Sequence, residues 1–128
     1  MKKLLIFIIL FISLPIYSQD NPEWFHLEGV SNPDYKVYLN IKNMRYSPGD
    51  SIIADLKYEY KKEKIVVTNR IKFYISENEY TLLSHMFYLG GELQNDLFDS
   101  GVHHLVPGSE ISVIYQGVYI QAVTQGPK

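Results

Sequence analysis

The chain has 128 residues and no cysteine, with 12 basic and 14 acidic residues and a formal net charge of −2. The missing thiols exclude disulfides, thiol catalysis, thiolate metal sites and a cysteine-linked lipid anchor. The acidic balance argues against nucleic acid as a partner, because phosphate contacts require a basic surface.

Residues 1–18 have the order of charged, apolar and small residues that is typical of a secretory signal peptide. Two lysines precede an apolar run over residues 4–16, and Ser18 closes the segment. As a helix the run spans about 20 Å, less than the roughly 30 Å of a bilayer core. We predict cleavage between Ser18 and Gln19, no membrane span afterwards, and a soluble periplasmic or extracellular protein; the alternative is an uncleaved anchor.

The next segment, residues 19–34, is expected to lead into a single β-rich domain that covers residues 35–123. The domain opens with residues 35–42, where apolar and polar residues alternate as in a half-buried strand. Residues 46–50 then place Pro48 and Gly49 at the two central positions of a turn, where these residue types are favoured.

A hairpin is predicted next. Residues 52–60 alternate again, residues 61–64 are polar and form the loop, and residues 65–75 form the partner strand. Asn69 falls on the otherwise apolar face of that strand, which favours a β-bulge nearby.

Residues 76–98 are compatible with two structures. Ser76 and Glu79 have capping-box spacing, and leucine and methionine residues follow at helical intervals, so we predict a short helix near residues 77–89. The alternative is a strand, because Tyr80, Thr81 and Phe87 favour sheets.

Two last strands are expected at residues 111–115 and 118–123, with Gly117 as a bulge or bend between them. Residues 124–128 are expected to form a flexible tail. Pro107 and Gly108 repeat the Pro48–Gly49 pattern, as a second turn that starts a strand.

These elements predict a mainly β fold, a small antiparallel β-sandwich with one short helix; the alternative is an α+β arrangement. Over residues 35–123 the strand spacing and the Pro-Gly turns resemble an immunoglobulin-like sandwich in style. The chain lacks the Cys…Trp…Cys framework of immunoglobulin domains, since its only tryptophan, Trp24, precedes the predicted strands.

Charge is unevenly distributed along the chain. From residue 73 to residue 127 there is no lysine or arginine, whereas basic residues are concentrated in the predicted hairpin. This asymmetry indicates a dipolar surface that docks an oppositely charged partner; the alternative is a set of solvated strand edges. The basic candidates for ligand binding are Lys57, Lys61, Lys62 and Lys64.

Tyr38 and Tyr74 fall on the polar faces of their predicted strands. An exposed tyrosine offers a flat ring and a hydroxyl, which suits contact with a sugar or a protein. We include both residues as candidate ligand-binding residues; the alternative is that they reflect only the preference of tyrosine for strands.

His103 and His104 follow shortly after Asp99, a combination that suggests a weak candidate metal site. Adjacent residues in a strand point to opposite faces, and the spacing matches no zinc signature, so loop or edge histidines are the simpler interpretation. No nucleophile elbow is present. We expect no cofactor and no enzymatic activity.

The function predicted from the sequence is an exported, non-catalytic binding module whose ligand is a protein or a glycan. The first alternative is a small periplasmic enzyme inhibitor or immunity-type protein. The second is a small metal-dependent or hydrolytic enzyme built around His103 and His104.

Overall fold

The computed structural model describes residues 23–128, so the predicted signal peptide and the start of the segment that follows it lie outside the described residues. Eight strands and one helix follow in chain order. They are β1 (Trp24–His26), β2 (Tyr35–Asn40), β3 (Arg45–Ser47), β4 (Ser51–Tyr60), β5 (Ile65–Tyr74), β6 (Glu79–Leu89), β7 (Glu92–Gln94), β8 (Val102–His104) and α1 (Glu110–Gln125).

All eight strands belong to one antiparallel sheet with the order β1-β2-β4-β5-β6-β7. The short strand β3 pairs with β4 beyond the end of β2, and β8 pairs with β6 beyond the end of β7. The three long strands β4, β5 and β6 therefore form the centre of the sheet, and short strands form both edges.

The predicted hairpin is confirmed. Strands β4 and β5 pair from Ser51↔Tyr74 to Glu59↔Val66, and residues 61–64 form the exposed loop between them. The pairing of β5 with β6 shifts between Arg70 and Ile71, next to Asn69, where the sequence predicted a bulge. The turn at residues 48–50 is also present, with Gly49 at φ +77°.

The short helix predicted near residues 77–89 is wrong, because this segment is the strand β6. The Ser76/Glu79 spacing belongs to the β5–β6 turn, in which Asn78 has φ +53°. Ten residues of β6 pair with β5, and these ladder hydrogen bonds outweigh the helical spacing of the leucines. The strand alternative for this segment is confirmed.

The two strands predicted at residues 111–115 and 118–123 are also wrong, because both lie in α1. Ser109 caps the helix by accepting a hydrogen bond from the Ser112 backbone N–H at 3.3 Å. Ile114, Val118 and Ala122 recur every four residues and are fully buried. In a helix these three residues lie on one face and form a single apolar stripe, whereas in two strands they would be separated. The turn at Pro107–Gly108 thus starts a helix.

The core lies between the inner face of the sheet and α1. It is formed by alternate residues of β2, β4 and β5 together with the buried stripe of α1, and its largest buried side chain is Phe73. Gly117 lies against Leu27, and an added Cβ would come within 3.1 Å of Leu27 Cδ2. Gly117, which the sequence predicted as a bulge or bend between two strands, therefore allows the helix to pack closely against Leu27.

The mainly β, antiparallel class with one helix is confirmed, in a small sandwich-like arrangement whose second layer contains α1. Strand β1 lies within the segment that the sequence placed before the domain, and it pairs with β2. At the other end, the Lys128 backbone exchanges hydrogen bonds with Tyr46 at 2.9 and 3.2 Å, within the segment predicted to be a flexible tail. The described range contains no helix long and apolar enough to span a membrane.

Candidate binding groove on the outer face of the sheet

Helix α1 covers the inner face of the sheet and leaves the outer face open to solvent. Because side chains alternate along a strand, the residues between the core positions point to this outer face. The strand pairing aligns them in rows across the sheet, in which Trp24 pairs with Asn40, Asp55 with Arg70, and Arg70 with Ser84. One such row is therefore polar across four strands and ends at an aromatic ring on β1.

A groove of about 350 Å³ follows these rows, within the roughly 300–1,000 Å³ of small-molecule sites. We call it the outer groove. Its lining contains two aromatic rings, a methionine, and polar side chains that donate hydrogen bonds, accept them or do both. The lining residues are Trp24, Asn40, Asn43, Asp55, Thr68, Asn69, Arg70, Ser84, Met86 and Tyr88.

An ion pair lies at the centre of the outer groove. Arg70 Nη1 donates to both carboxylate oxygens of Asp55, at 3.0 and 3.2 Å. Asn43 Nδ2 approaches the same carboxylate at 3.5 Å. The pair neutralises the two charges and still leaves guanidinium N–H groups and carboxylate lone pairs for a ligand.

Two further polar side chains lie deep in the groove. Asn40 is only 4% exposed, and its Oδ1 accepts the Asn43 backbone N–H at 2.9 Å, which ends β2 in a turn. Among the buried side-chain N and O atoms of residues 23–128, Thr68 Oγ1 is the one without a hydrogen-bond partner. Buried polar atoms are nearly always paired, so this hydroxyl is a candidate for pairing with a bound molecule.

Aromatic rings form the two ends of the outer groove. At one end Lys57 Nζ lies 4.6 Å from the centre of the Trp24 ring and 5.2 Å from that of Tyr38. At the other end the Tyr88 hydroxyl donates to Met86 Sδ at 3.4 Å.

The predicted ligand-binding residues are only partly brought together. Tyr38 pairs with Lys57, and these two residues lie beside the outer groove. Lys57 Nζ also forms an ion pair with a carboxylate oxygen of Glu59 at 3.1 Å. Burial and the Glu59 charge raise the pKa of Tyr38, which keeps its hydroxyl protonated. Tyr74 is paired with Ser51, six positions along β4 from Lys57 and hence about 20 Å away.

The basic candidates for ligand binding are likewise not all brought together. Lys57 has only 17% of its side chain exposed and lies against aromatic rings, whereas the loop residues after β4 are exposed. Three of these loop residues are basic and do not line the groove. They are Lys61, Lys62 and Lys64.

The candidate metal residues are also separated. His103 stacks on Tyr80 and has Nε2 3.3 Å from Asp99, whereas His104 is exposed and has Nδ1 3.6 Å from Glu79. The adjacent histidines thus use different carboxylates, as expected for neighbouring residues in a strand. Within residues 23–128 no group of three or more metal-ligating side chains is arranged around a common point.

A second polar network crosses the inner face at the end that α1 leaves uncovered. The His85 ring lies between Asn69 Oδ1 and Asp96 Oδ2, with both distances 2.6 Å. Glu110, the first residue of α1, accepts hydrogen bonds from the Tyr35 hydroxyl and, at 3.0 Å, from Asn32 Nδ2. These contacts fix the helix and the segment after β7 to the sheet, so we assign them a structural role.

Sequence reasoning missed most of the outer groove. The polar positions of β4 and β5 are visible in the alternation, but the rows depend on strand order, and Trp24 was placed ahead of the domain. A lone tryptophan two residues after a proline, between Glu23 and Phe25, was the one available signal of an exposed aromatic edge.

Comparison of the chain with protein-family models, with curated proteins and with solved structures finds no match in any of the three.

Proposed function

We propose that this protein is an exported, non-catalytic module that binds a neutral saccharide in the outer groove. The observation that supports the proposal is the combination at one site of a neutralised ion pair, an unpartnered hydroxyl and two aromatic rings. Each of these features matches one chemical property of a sugar ring.

Sugar hydroxyls both donate and accept hydrogen bonds, so a saccharide site requires donors and acceptors side by side. In the outer groove Arg70 supplies donors, Asp55 supplies acceptors, and Thr68 and Ser84 supply hydroxyls that do both. Because Asp55 and Arg70 cancel each other's charge, the central pair favours a neutral ligand over an anionic one.

The aromatic rings match the apolar face of a sugar ring. The axial C–H groups of a pyranose form an apolar face, which packs against the electron-rich face of an aromatic ring. Trp24 lies at the β1 end of the polar row, and Tyr88 lines the groove on β6, so a short oligosaccharide that fills the groove would contact both rings.

The proposal is tested with a glycan array, followed by calorimetric titration of the best binder. Trp24→Ala is expected to weaken binding at least tenfold, because truncating an aromatic residue at a binding hot spot costs about 2 kcal/mol or more. Phe25→Ala is the matched control. Its side chain leaves the same strand on the opposite face and is 43% exposed, so its loss should leave saccharide binding unchanged.

Two results would contradict the proposal. The first is an array of neutral glycans without a binder. The second is a binder whose affinity is the same for Trp24→Ala, Thr68→Val and the unmodified protein, since that sugar would be bound elsewhere.

The loop between β4 and β5 favours a second candidate, an enzyme inhibitor or immunity-type protein. Lys61, Lys62 and Lys64 form an exposed basic tip at the end of a rigid hairpin, a shape that fits an acidic cleft. Replacing Lys61 and Lys64 with glutamate should then abolish recovery of a protein partner and leave saccharide binding intact. Unchanged recovery would remove this candidate.

Export is part of the proposal and is supported by the composition of residues 1–18. Mass spectrometry of the protein from the periplasm or the medium should find Gln19 as the first residue. A chain that begins at Met1 and remains in the membrane fraction would contradict it.

A further inference from the structure

We propose that the saccharide bound in the outer groove is built from N-acetylated hexosamines, and that one of its acetamido groups lies between Thr68 and Met86. The assignment rests on the proposed function, since it names the class of sugar that the same groove takes. Two side chains carry it, an unpartnered hydroxyl and an exposed thioether that lie opposite each other on neighbouring strands.

Thr68 on β5 and Met86 on β6 are paired residues, and both line the outer groove. Residues directly opposite each other in antiparallel strands have Cβ atoms about 4.5–5.5 Å apart. An acetamido group is of comparable size and has a polar amide at one end and a methyl group at the other. One such group therefore reaches both side chains.

The hydroxyl of Thr68 supplies the polar contact. Its Oγ1 is buried and lacks a hydrogen-bond partner among residues 23–128, although Thr68 as a residue is only half-buried. Because no hydrogen bond holds the hydroxyl, a change of χ1 rotamer turns it toward the groove without breaking one. There it accepts the amide N–H of the acetamido group or donates to its carbonyl oxygen.

Met86 supplies the apolar contact. Its side chain is 41% exposed, and its Sδ accepts a hydrogen bond from the Tyr88 hydroxyl at 3.4 Å. The thioether is polarizable and adapts to the shape of a small apolar group. A methyl group placed against Met86 removes apolar surface from water, which favours binding.

The charged side chains next to Thr68 are neutralised by partners. Arg70, two residues along β5, bonds both carboxylate oxygens of Asp55 at 3.0 and 3.2 Å. Lys57, which pairs with Thr68 from the other side, forms an ion pair with Glu59 at 3.1 Å. The site therefore favours an uncharged amide over the carboxylate of a uronic acid or the free amine of an unacetylated hexosamine.

A plain sugar hydroxyl fits this part of the groove less well. It would pair with the Thr68 hydroxyl but leave the Met86 side chain uncovered. The expected consequence is a preference for the acetylated form of a sugar over the form that has a hydroxyl at the same carbon.

The test compares three trisaccharides with the same β-1,4 linkage, each titrated calorimetrically against the protein. Tri-N-acetylchitotriose carries an acetamido group on every ring, so whichever ring lies at Thr68 presents one. Cellotriose has hydroxyls at the same carbons, and fully deacetylated chitotriose has charged amines. The acetylated trisaccharide should bind about tenfold more tightly than either of the other two.

Variants show whether the two side chains cause this preference. Thr68→Val removes the hydroxyl and keeps the shape, so the ratio of affinities for tri-N-acetylchitotriose and cellotriose should fall to about threefold or less. Thr68→Ser keeps the hydroxyl and should retain the full ratio. Thr68→Val should also leave the urea midpoint unchanged or raise it, because it breaks no hydrogen bond within the protein.

Met86→Gln replaces the apolar side chain by a polar one of similar length and should likewise lower the ratio. Leu83→Gln is the matched control and should retain it. Leu83 lies on the same strand and is 43% exposed, but it does not line the groove.

The proposal is overturned if tri-N-acetylchitotriose does not bind, or if it binds no more tightly than cellotriose. It is also overturned if Thr68→Val clearly destabilises the protein, because the hydroxyl would then be used within the fold. After any of these results, a different neutral glycan that binds and loses affinity in Trp24→Ala would leave the proposed function standing. If no neutral glycan binds at all, both the proposed function and this assignment fail.

Discussion

Asp55 and Arg70 face each other on the two central strands, and Arg70 Nη1 lies 3.0 Å from one carboxylate oxygen and 3.2 Å from the other. The two residues are 15 apart in sequence and are aligned by the β4–β5 hairpin. Their side chains are 23% and 36% exposed, so the pair is accessible to solvent and to a ligand. We infer that its main role is to orient polar groups in the outer groove and that its contribution to stability is small.

A double-mutant cycle tests this inference. Asp55→Asn and Arg70→Gln should each lower the free energy of unfolding by no more than about 1 kcal/mol, with a coupling energy of about 0.5 kcal/mol, because partly exposed ion pairs are screened by water. Urea denaturation measures these values. Both variants should lose saccharide binding at least tenfold while remaining folded. A coupling energy of several kcal/mol would instead indicate a structural role.

Phe73 and its neighbour Tyr74 provide a test of which face of β5 is the core. Phe73 is fully buried, so Phe73→Ala should lower the free energy of unfolding by about 3–5 kcal/mol through lost burial and the cavity that remains. Tyr74→Ala, on the outer face beside Lys72, should cost less than about 1 kcal/mol. Chemical denaturation of the two variants compares them, and equal losses would contradict the assigned register.

Tyr58 should make the protein sensitive to alkali. Burial, assisted by the Glu110 charge, raises the pKa of Tyr58 well above its ordinary value. Below pH 10 the tyrosine is neutral in both states and stability is unaffected. Above pH 10 the unfolded chain releases the proton and the folded chain keeps it, so stability falls by up to about 1.4 kcal/mol per pH unit.

Tyr58→Phe removes this proton. Urea midpoints measured between pH 8 and pH 11 should therefore fall less steeply for the variant than for the unmodified protein. Parallel curves for the two proteins would contradict the assignment to Tyr58.

Gly49 tests the turn that starts β4. Its φ of +77° is unfavourable for residues with a side chain, so Gly49→Ala should lower the free energy of unfolding by about 1 kcal/mol. Gly29→Ala is the matched control, because a Cβ there meets no atom within 4 Å and φ is not in the left-handed region. The control should be neutral or slightly stabilising. Thermal melting distinguishes the two outcomes.

Some of the fold could be read from local patterns. The alternation of residues 52–60 and 65–75 specifies two strands with one apolar face each, and Pro48–Gly49 specifies the turn before them, because these signals act between neighbours in the chain. The same alternation placed Lys57 and Tyr38 on polar faces, and both lie beside the outer groove.

Residues 79–89 and 110–125 show where local patterns are insufficient. The first segment has leucines at helical spacing and becomes a strand, because β5 offers it a ladder of ten paired residues. The second is rich in β-branched residues and becomes a helix, because Ile114, Val118 and Ala122 complete the core only when they lie on one helical face. Burial against a distant partner outweighs intrinsic propensity in both cases.

By itself, the sequence determined that this is a cysteine-free, mainly β chain with a central hairpin and the N-terminal composition of an exported protein. Only the tertiary structure decided which strands are neighbours. That decision places Trp24, Asp55, Arg70 and Tyr88 around one groove and, within residues 23–128, gives β1 a strand neighbour on one side only. The physical reason is that side-chain alternation is a local property, whereas a binding site requires residues from several strands to meet across the sheet.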